Sequence, residues 1–248
     1  MSTPQHQALN SAKEICFPMA GSHDIDLPPT GLAYIAAIDN ATSSTRAKHP
    51  MSPISDDAWL PWLPSELADR LKHAAGVWYV VGGWALDLWH GAQTREHEDL
   101  EFAILPGNVQ EFRKILGELD FFTVHSGVIE HLAPAQSPPP HVWQLWGMDT
   151  RSACWRVDMM LEAGTSSTWT YKRDPAIQAP RSEMVRLNDA GIPYLTPAAV
   201  LLFKAKYLRD KDEADFKRAL PRLDFAERTR LRDWLDLAHP NHPWLAAL

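Results

Sequence analysis

Five apolar, β-prone residues, Val77-Trp78-Tyr79-Val80-Val81, run straight into Gly82-Gly83. Such a run reads as a buried strand that stops at the glycines. A short helix over 84–90 and a polar loop, Thr94-Arg95-Glu96-His97-Glu98, follow. Asp99-Leu100-Glu101-Phe102 then opens a second strand over 100–105. This order leaves few arrangements open. Asp99 and Glu101 are two residues apart, so they share one face, while Leu100, Phe102 and Ile104 point the other way, into a core. Adjacent carboxylates repel each other unless a cation lies between them. Oxygen donors at an exposed strand end favour a hard cation such as Mg2+, which usually also meets substrate phosphates. Glycine lets a backbone approach a phosphate closely, and the helix behind it aims N–H groups at the anion. Taken singly, Gly82-Gly83 reads as a plain strand-to-helix turn and Asp99-x-Glu101 as a solvated strand end. Their conjunction in one strand–glycine–helix–loop–strand unit is what carries the functional reading.

A third acid belongs to the same picture. Cys154–Leu161 reads as a strand, and Asp158 sits in its otherwise apolar stretch Trp155-Arg156-Val157-Asp158-Met159-Met160-Leu161. A charge there is costly unless it is paired or bound to metal. Alternation offers a structural partner, Arg156, on the same face. The fold expectation is that 77–81, 100–105 and 154–161 lie in one sheet and bring Asp99, Glu101 and Asp158 together.

The remaining pattern places these strands in an α+β chain, strands in the middle and helices behind. Leu63-Pro64-Ser65-Glu66 begins a helix running to about Ala75. Val109, Phe112, Ile115, Leu116 and Leu119 keep a helical period. Residues 121–132 and 141–148 read as strands around Pro138-Pro139-Pro140, and 169–171 as one more. Beyond Pro193 the chain reads as helical: Thr196-Pro197 is an N-cap with proline at the first helical position, and helices follow over 212–220 and 225–238. The expected division is an N-terminal extension over 1–52, a catalytic domain over 53–192 and a helical C-terminal part over 193–248. Residues 1–50 are rich in Ser, Thr, Ala and Pro without a sustained period, which predicts poor order. Met51 then reads as a second candidate start.

Charge narrows the ligand. With a net charge of −7 and no long run of Lys or Arg, the chain lacks the phosphate-neutralising surface that a nucleic-acid binder needs. An acidic surface attracts a cationic small molecule instead. Two cysteines, Cys16 and Cys154, make no disulfide framework, so a reducing cytoplasm is expected. No apolar run reaches the roughly 18 residues of a membrane helix, and the N-terminus lacks a signal-peptide pattern. A dinucleotide-binding fold is excluded, because Gly82-Gly83 does not have the required glycine spacing.

Gly82-Gly83-Trp84, Arg95-x-His97-x-Asp99-x-Glu101 and the later Asp158 strand resemble the aminoglycoside and lincosamide nucleotidyltransferases, above all the aminoglycoside 2″-adenylyltransferase type. The resemblance implies a nucleotidyltransferase fold, a mixed sheet flanked by helices with a helical C-terminal part. It implies Asp99 and Glu101 as Mg2+ ligands and Asp158 as the base that takes the acceptor's proton. It implies a nucleoside triphosphate, ATP by analogy, and a small-molecule hydroxyl acceptor, for which an aminoglycoside-like polycation suits the negative chain. Two departures stand out: Glu101 replaces the usual Asp, and Gly-Gly-Trp replaces the Gly-Ser of the wider superfamily. The alternative reading is a catalytically idle nucleotide-binding protein, such as a nucleotidyltransferase-like antitoxin, which a broken set of acids would favour.

Four residues are expected to bind the nucleotide: Gly82, Gly83, Arg95 and Lys204. Arg95 would neutralise triphosphate charge, against a bland reading as a surface pair with Glu96 or Glu98. His97 is expected to orient Asp99 or its loop, and Asp87 to cap or bridge within the short helix. Lys204 and Lys206 lie on the helix after Pro197, and Lys204 follows Phe203 in the apolar run, which favours it for the β- and γ-phosphates. Asp212, Glu213 and Asp215 read as acids that complement a helix dipole.

Overall fold

The computed structural model describes residues 54–248. The readings of residues 1–52 as an extension and of Met51 as a start lie outside the described residues. Helix α1 (Pro64–Leu71) carries Pro64 in its first turn and buries Leu67 and Leu71. It ends four residues before Ala75, where the sequence placed its end. Strand β1 (Trp78–Val80) leads through Val81 into α2 (Gly82–His90), so both glycines are the helix's own first turn rather than a turn before it. Strand β2 (Glu101–Ile104) pairs antiparallel with β1, with Val80 opposite Phe102.

Helix α3 (Val109–Ile115) is shorter than its period suggested. Leu119, read as helical, instead opens β3 (Leu119–His125), which turns back at Ser126-Gly127 into β4 (Val128–His131). The long strand expected over 121–132 is therefore a hairpin. Both tip residues have positive φ, 50° and 74°, the backbone form of a tight two-residue hairpin turn. Strand β5 (Gln144–Asp149) and β6 (Cys154–Leu161) follow; β6 has the bounds its pattern predicts.

Strands β7 (Thr168–Thr170) and β8 (Gln178–Pro180) form a small separate sheet. A one-turn helix, α4 (Arg181–Met184), then leads into β9 (Val185–Leu187) and β10 (Pro193–Leu195). Both were missed, because three-residue strands leave no periodic trace. Strand β10 lies parallel to β1, with Val80 opposite Tyr194. The helical part starts only at α5 (Pro197–Ala205), followed by α6 (Asp210–Ala219) and α7 (Phe225–Ala238).

The main sheet has eight strands in the order β4-β3-β5-β6-β2-β1-β10-β9. It is mixed: β2 with β6 and β1 with β10 run parallel, and the other pairs antiparallel. The α+β architecture expected from the pattern, and the mixed sheet flanked by helices that the resemblance implied, are what the structure shows. One cluster of buried side chains joins the sheet to the helices, from Leu67 and Leu71 through Phe102, Val157 and Met159 to Leu201 and Leu235. A second, smaller cluster holds Phe122, Trp146, Met148 and Trp155, with Trp59 packed against it. At roughly 25 cal/mol per Å2 of apolar surface, side chains of this size dominate the stability of the sheet. No helix among the described residues is long and apolar enough to cross a membrane.

The residues 58–62 extend this sheet locally. Trp155 donates its backbone N–H to the Ala58 carbonyl at 2.8 Å, and Leu60 returns one to Trp155 at 3.0 Å. Further along, Asp158 donates its backbone N–H to the Leu100 carbonyl at 2.8 Å. One flank of β6 is thus served first by 58–62 and then by β2, and the changeover lies at Asp158.

Candidate active site

Strand pairing brings the three acids together. Glu101 and Asp158 are register partners across the parallel pair β2–β6, so they emerge on one face. Asp99 precedes Glu101 by two residues on the same side. One carboxylate oxygen from each lies within 4.8 Å of the others, with Asp158 buried and Asp99 and Glu101 half-buried. Three acids this close form a donor set for a hard divalent cation.

Asp158 does not pair with Arg156. Gly147 pairs with Val157 and Met148 with Trp155, which leaves Arg156 as an extra residue, a β-bulge. The bulge resets the alternation, so Trp155 packs in the small cluster and Val157 in the main core although they are two residues apart. Arg156 is turned to Asp149, at 3.0 Å. Asp158 instead accepts a 2.6 Å hydrogen bond on Oδ2 from Gln144 Nε2. Sequence reasoning missed Gln144; its one signal is a polar residue opening an otherwise apolar run, Gln144-Leu145-Trp146.

The pair formed by Arg156 has a pH signature. Hydrogen bonding from Arg156, then Ser152, holds the Asp149 carboxyl down to about 2 from an ordinary 3.8. A depressed folded pKa stabilises above the unfolded value and is lost as the pH falls through the folded one. The contribution is therefore complete above about pH 4 and gone near pH 2. Thermal melts of Asp149→Asn should show a shallower acid slope than wild type across that window. Parallel slopes would refute the assignment.

The glycines are explained by what stands against them. Gly82 has φ +64°, and a Cβ there would run into the Glu101 carboxylate. At Gly83 a Cβ would meet the Arg95 guanidinium and the His97 ring. The first turn of α2 is thus cut back so that three side chains of the loop and β2 can lie on its backbone.

The loop itself is clamped. His97 stacks on Trp84 with ring centroids 4.4 Å apart and meets Asp87 Oδ2 through Nε2 at 2.6 Å. Thr94 donates to the other Asp87 oxygen at 2.5 Å. Asp87 therefore bridges from α2 to the loop rather than within the helix. Burial draws the His97 imidazole below its usual pKa, and the Asp87 hydrogen bond opposes this.

Arg95 and Lys204, the two cations expected at the phosphates, are held elsewhere. Arg95 makes a two-pronged pair with Asp215, both contacts 3.2 Å, and not with Glu96 or Glu98 carboxylates. Lys204 is buried and lies 2.9 Å from Asp215 and 3.1 Å from Asp212. Asp212 and Asp215 are themselves buried, so they act as more than dipole-complementing surface acids. Burial alone would raise both carboxyls, but the cations outweigh it. Arg209 and Lys204 do so at Asp212, and Arg95 and Lys204 at Asp215, and both sit below their usual range.

Other cations stand near the acids. Lys172, half-buried just past β7, is pulled down to about 8 by burial and by Arg173, against the upward pull of Asp158, Glu101 and Glu162. The Arg209 guanidinium also feels Glu101. Arg173, Lys206 and Arg209 all stand over the Tyr207 ring, at 5.3, 5.0 and 5.5 Å. Arg173 hydrogen-bonds the Phe203 carbonyl and the Tyr171 hydroxyl, and among the described residues neither Lys172 nor Arg173 is in a salt bridge. Sequence reasoning missed this shelf; its one signal is Lys172-Arg173, two adjacent cations just past the short strand β7.

Residues 65–126 match the family model described as Aminoglycoside-2''-adenylyltransferase. That stretch takes in Gly82, Gly83, Arg95, Asp99 and Glu101 and stops before Asp158. No curated protein matches the chain in sequence. Among solved structures, the lincomycin-bound lincosamide antibiotic adenylyltransferase LnuA is 19% identical over 62% of this chain and 91% of its own, with a TM-score of 0.45. ANT(2")-Ia in complex with adenylyl-2"-tobramycin is 11% identical over 70% and 95%, with a TM-score of 0.49. An antigenic nucleotidyltransferase-like protein from Paracoccidioides brasiliensis is 16% identical over 74% and 88%, at 0.40. Likenesses this loose assign neither fold nor activity.

Proposed function

We propose that the chain is a nucleotidyltransferase, moving a nucleoside monophosphate from a nucleoside triphosphate to a hydroxyl of a small molecule. The observation that carries this reading is the meeting of three carboxylate oxygens within 4.8 Å beside the glycine-opened start of α2. The match of residues 65–126 to an adenylyltransferase family supports it. An idle nucleotide-binding protein has no use for a complete set of acids, two of them register partners across β2 and β6.

Asp99 and Glu101 would hold Mg2+, whose charge would offset that of the phosphates. Asp158 takes the proton of the acceptor hydroxyl. The freed oxygen attacks the α-phosphorus, the bond from that phosphorus to the bridging β-oxygen breaks, and pyrophosphate leaves. Gln144 keeps the Asp158 carboxylate turned in one direction while this happens. Gly82 and Gly83, expected at the phosphates, instead leave room at the start of α2 for Glu101, Arg95 and His97. Since Arg95, Lys204 and Arg209 are taken up by Asp212 and Asp215, Lys172 and Arg173 are the better partners for the β- and γ-phosphates. ATP is the first donor to test. An aminoglycoside-like polyamine is the best-fitting acceptor, because the chain carries a net charge of −7.

The experiment is incubation of the full chain with Mg2+ and α-labelled ATP, GTP, CTP or UTP against aminoglycosides, lincosamides and proteins. Label on a small hydroxyl acceptor is expected. Label on a protein side chain, or on nothing while the triphosphate still binds, would overturn the reading.

A further inference from the structure

Asp215 has an unusual number of obligations for a carboxylate on a C-terminal helix. It is 3% exposed and receives three cations from three elements. Arg95 comes from the loop before β2, Lys204 from α5, and Arg218 from one turn further along α6, at 3.1 Å. Packing of α6 on α5 does not require this. A buried ion cluster costs several kcal/mol in desolvation, and apolar side chains of equal volume would often serve stability as well or better. What ions supply that apolar groups do not is direction.

The direction here is given to Arg95. Its guanidinium lies over Gly83, in the space a Cβ would fill, and also donates to the Glu96 carbonyl at 2.9 Å. Four residues later the same loop presents Asp99. Between α2 and β2 the chain has no helix or strand, so residues 94–99 depend on side chains for their shape. Asp87 grips them from α2 through Thr94 and His97. Asp215 grips them from the opposite end of the sequence, through Arg95.

We propose that Asp215 is a positioning residue: by fixing Arg95 it sets the loop that carries Asp99 into the three-carboxylate cluster. The helical C-terminal part is then a component of the site. The proposal rests on the transfer reading above for its use, but its geometry stands by itself.

Two measurements on the full chain test it. The first is amide hydrogen exchange over residues 94–99 in Asp215→Asn, with Arg218→Ala as the control that trims the same cluster without touching the loop. Exchange in 94–99 should rise about tenfold in Asp215→Asn, as expected when a local tether is released, and stay at the wild-type rate in Arg218→Ala. The second is titration with Mn2+ alone. Loss of an outer partner of a metal ligand lowers affinity by about 10–100-fold, and the same fall is expected here. If Asp215→Asn does not fold, Arg95→Lys replaces it, because it keeps the charge and loses the two-pronged contact. A folded variant of either kind with wild-type exchange in 94–99 and wild-type Mn2+ affinity overturns the proposal. The exchange result decides the clamp even if the wild-type chain took no Mn2+, an outcome that would instead sink the transfer reading.

Discussion

Asp158→Asn should leave a folded chain that binds Mg2+ and nucleoside triphosphate and transfers almost nothing. Positioned acid–base groups contribute about 10²–10⁴ in rate, and a loss in that range is expected in label transfer. Folding should survive because the amide oxygen of Asn can still accept the hydrogen bond from Gln144 that Asp158 Oδ2 accepts now. Binding should survive because Asp99 and Glu101 remain. Asp158→Ala is the harsher change: it removes the acceptor and leaves the half-buried Gln144 amide without that partner, at a cost below the about 1–3 kcal/mol of a fully buried donor. The difference in melting temperature between the two variants therefore reads the Gln144 contact, while the turnover they share reads the base. Adding Arg156→Ala should rescue neither, since Arg156 belongs to Asp149. Normal turnover in a folded Asp158→Asn protein would remove the base from the scheme.

The acids were legible in the sequence for a physical reason. A charge in a strand that is otherwise buried has few ways to exist, so Asp99, Glu101 and Asp158 stood out against Phe102, Val157 and Met159. Strand β6 and helix α7 were equally plain, being long and strongly patterned. The partners of those charges were not legible. Alternation assigned Arg156 to Asp158, and a single inserted residue, invisible in the pattern, sent it to Asp149. Lys204 and Arg95 carry the right charge for a phosphate, yet both point to Asp215, which lies 120 positions after Arg95. Pairings of that length are set by how α5 and α6 fold back on the sheet, and no local period records them. The Ser126-Gly127 hairpin was legible and was passed over: His125-Ser126-Gly127 interrupts the apolar pattern, and Ser-Gly is a turn signal. Strands β9 and β10 were missed because neither is long enough to show alternation.

Gly82→Ala should strain the backbone as at other positive-φ glycines, and its loss should fall on the metal site as well. Two effects add. The residue sits at φ +64°, where a Cβ strains the backbone by about 1–2 kcal/mol. The new methyl would also occupy the place of the Glu101 carboxylate, which must then move out of the cluster with Asp99 and Asp158. Gly91 separates the two effects. It ends the same helix at φ +75° and has no atom within 4 Å of where its Cβ would be. Gly91→Ala therefore carries the strain alone, and both variants should lower the melting temperature by similar amounts. Only Gly82→Ala should lose divalent-ion affinity, by about 10–100-fold on the scale of a displaced ligand shell, with turnover falling alongside. Glu101→Asp, whose carboxylate is one methylene further back, should relieve the collision and restore part of the affinity in the Gly82→Ala background. Equal Mn2+ affinity in Gly82→Ala and Gly91→Ala would show that Glu101 is not a ligand. That result would also reduce Gly82 to a turn residue, and the three acids to two.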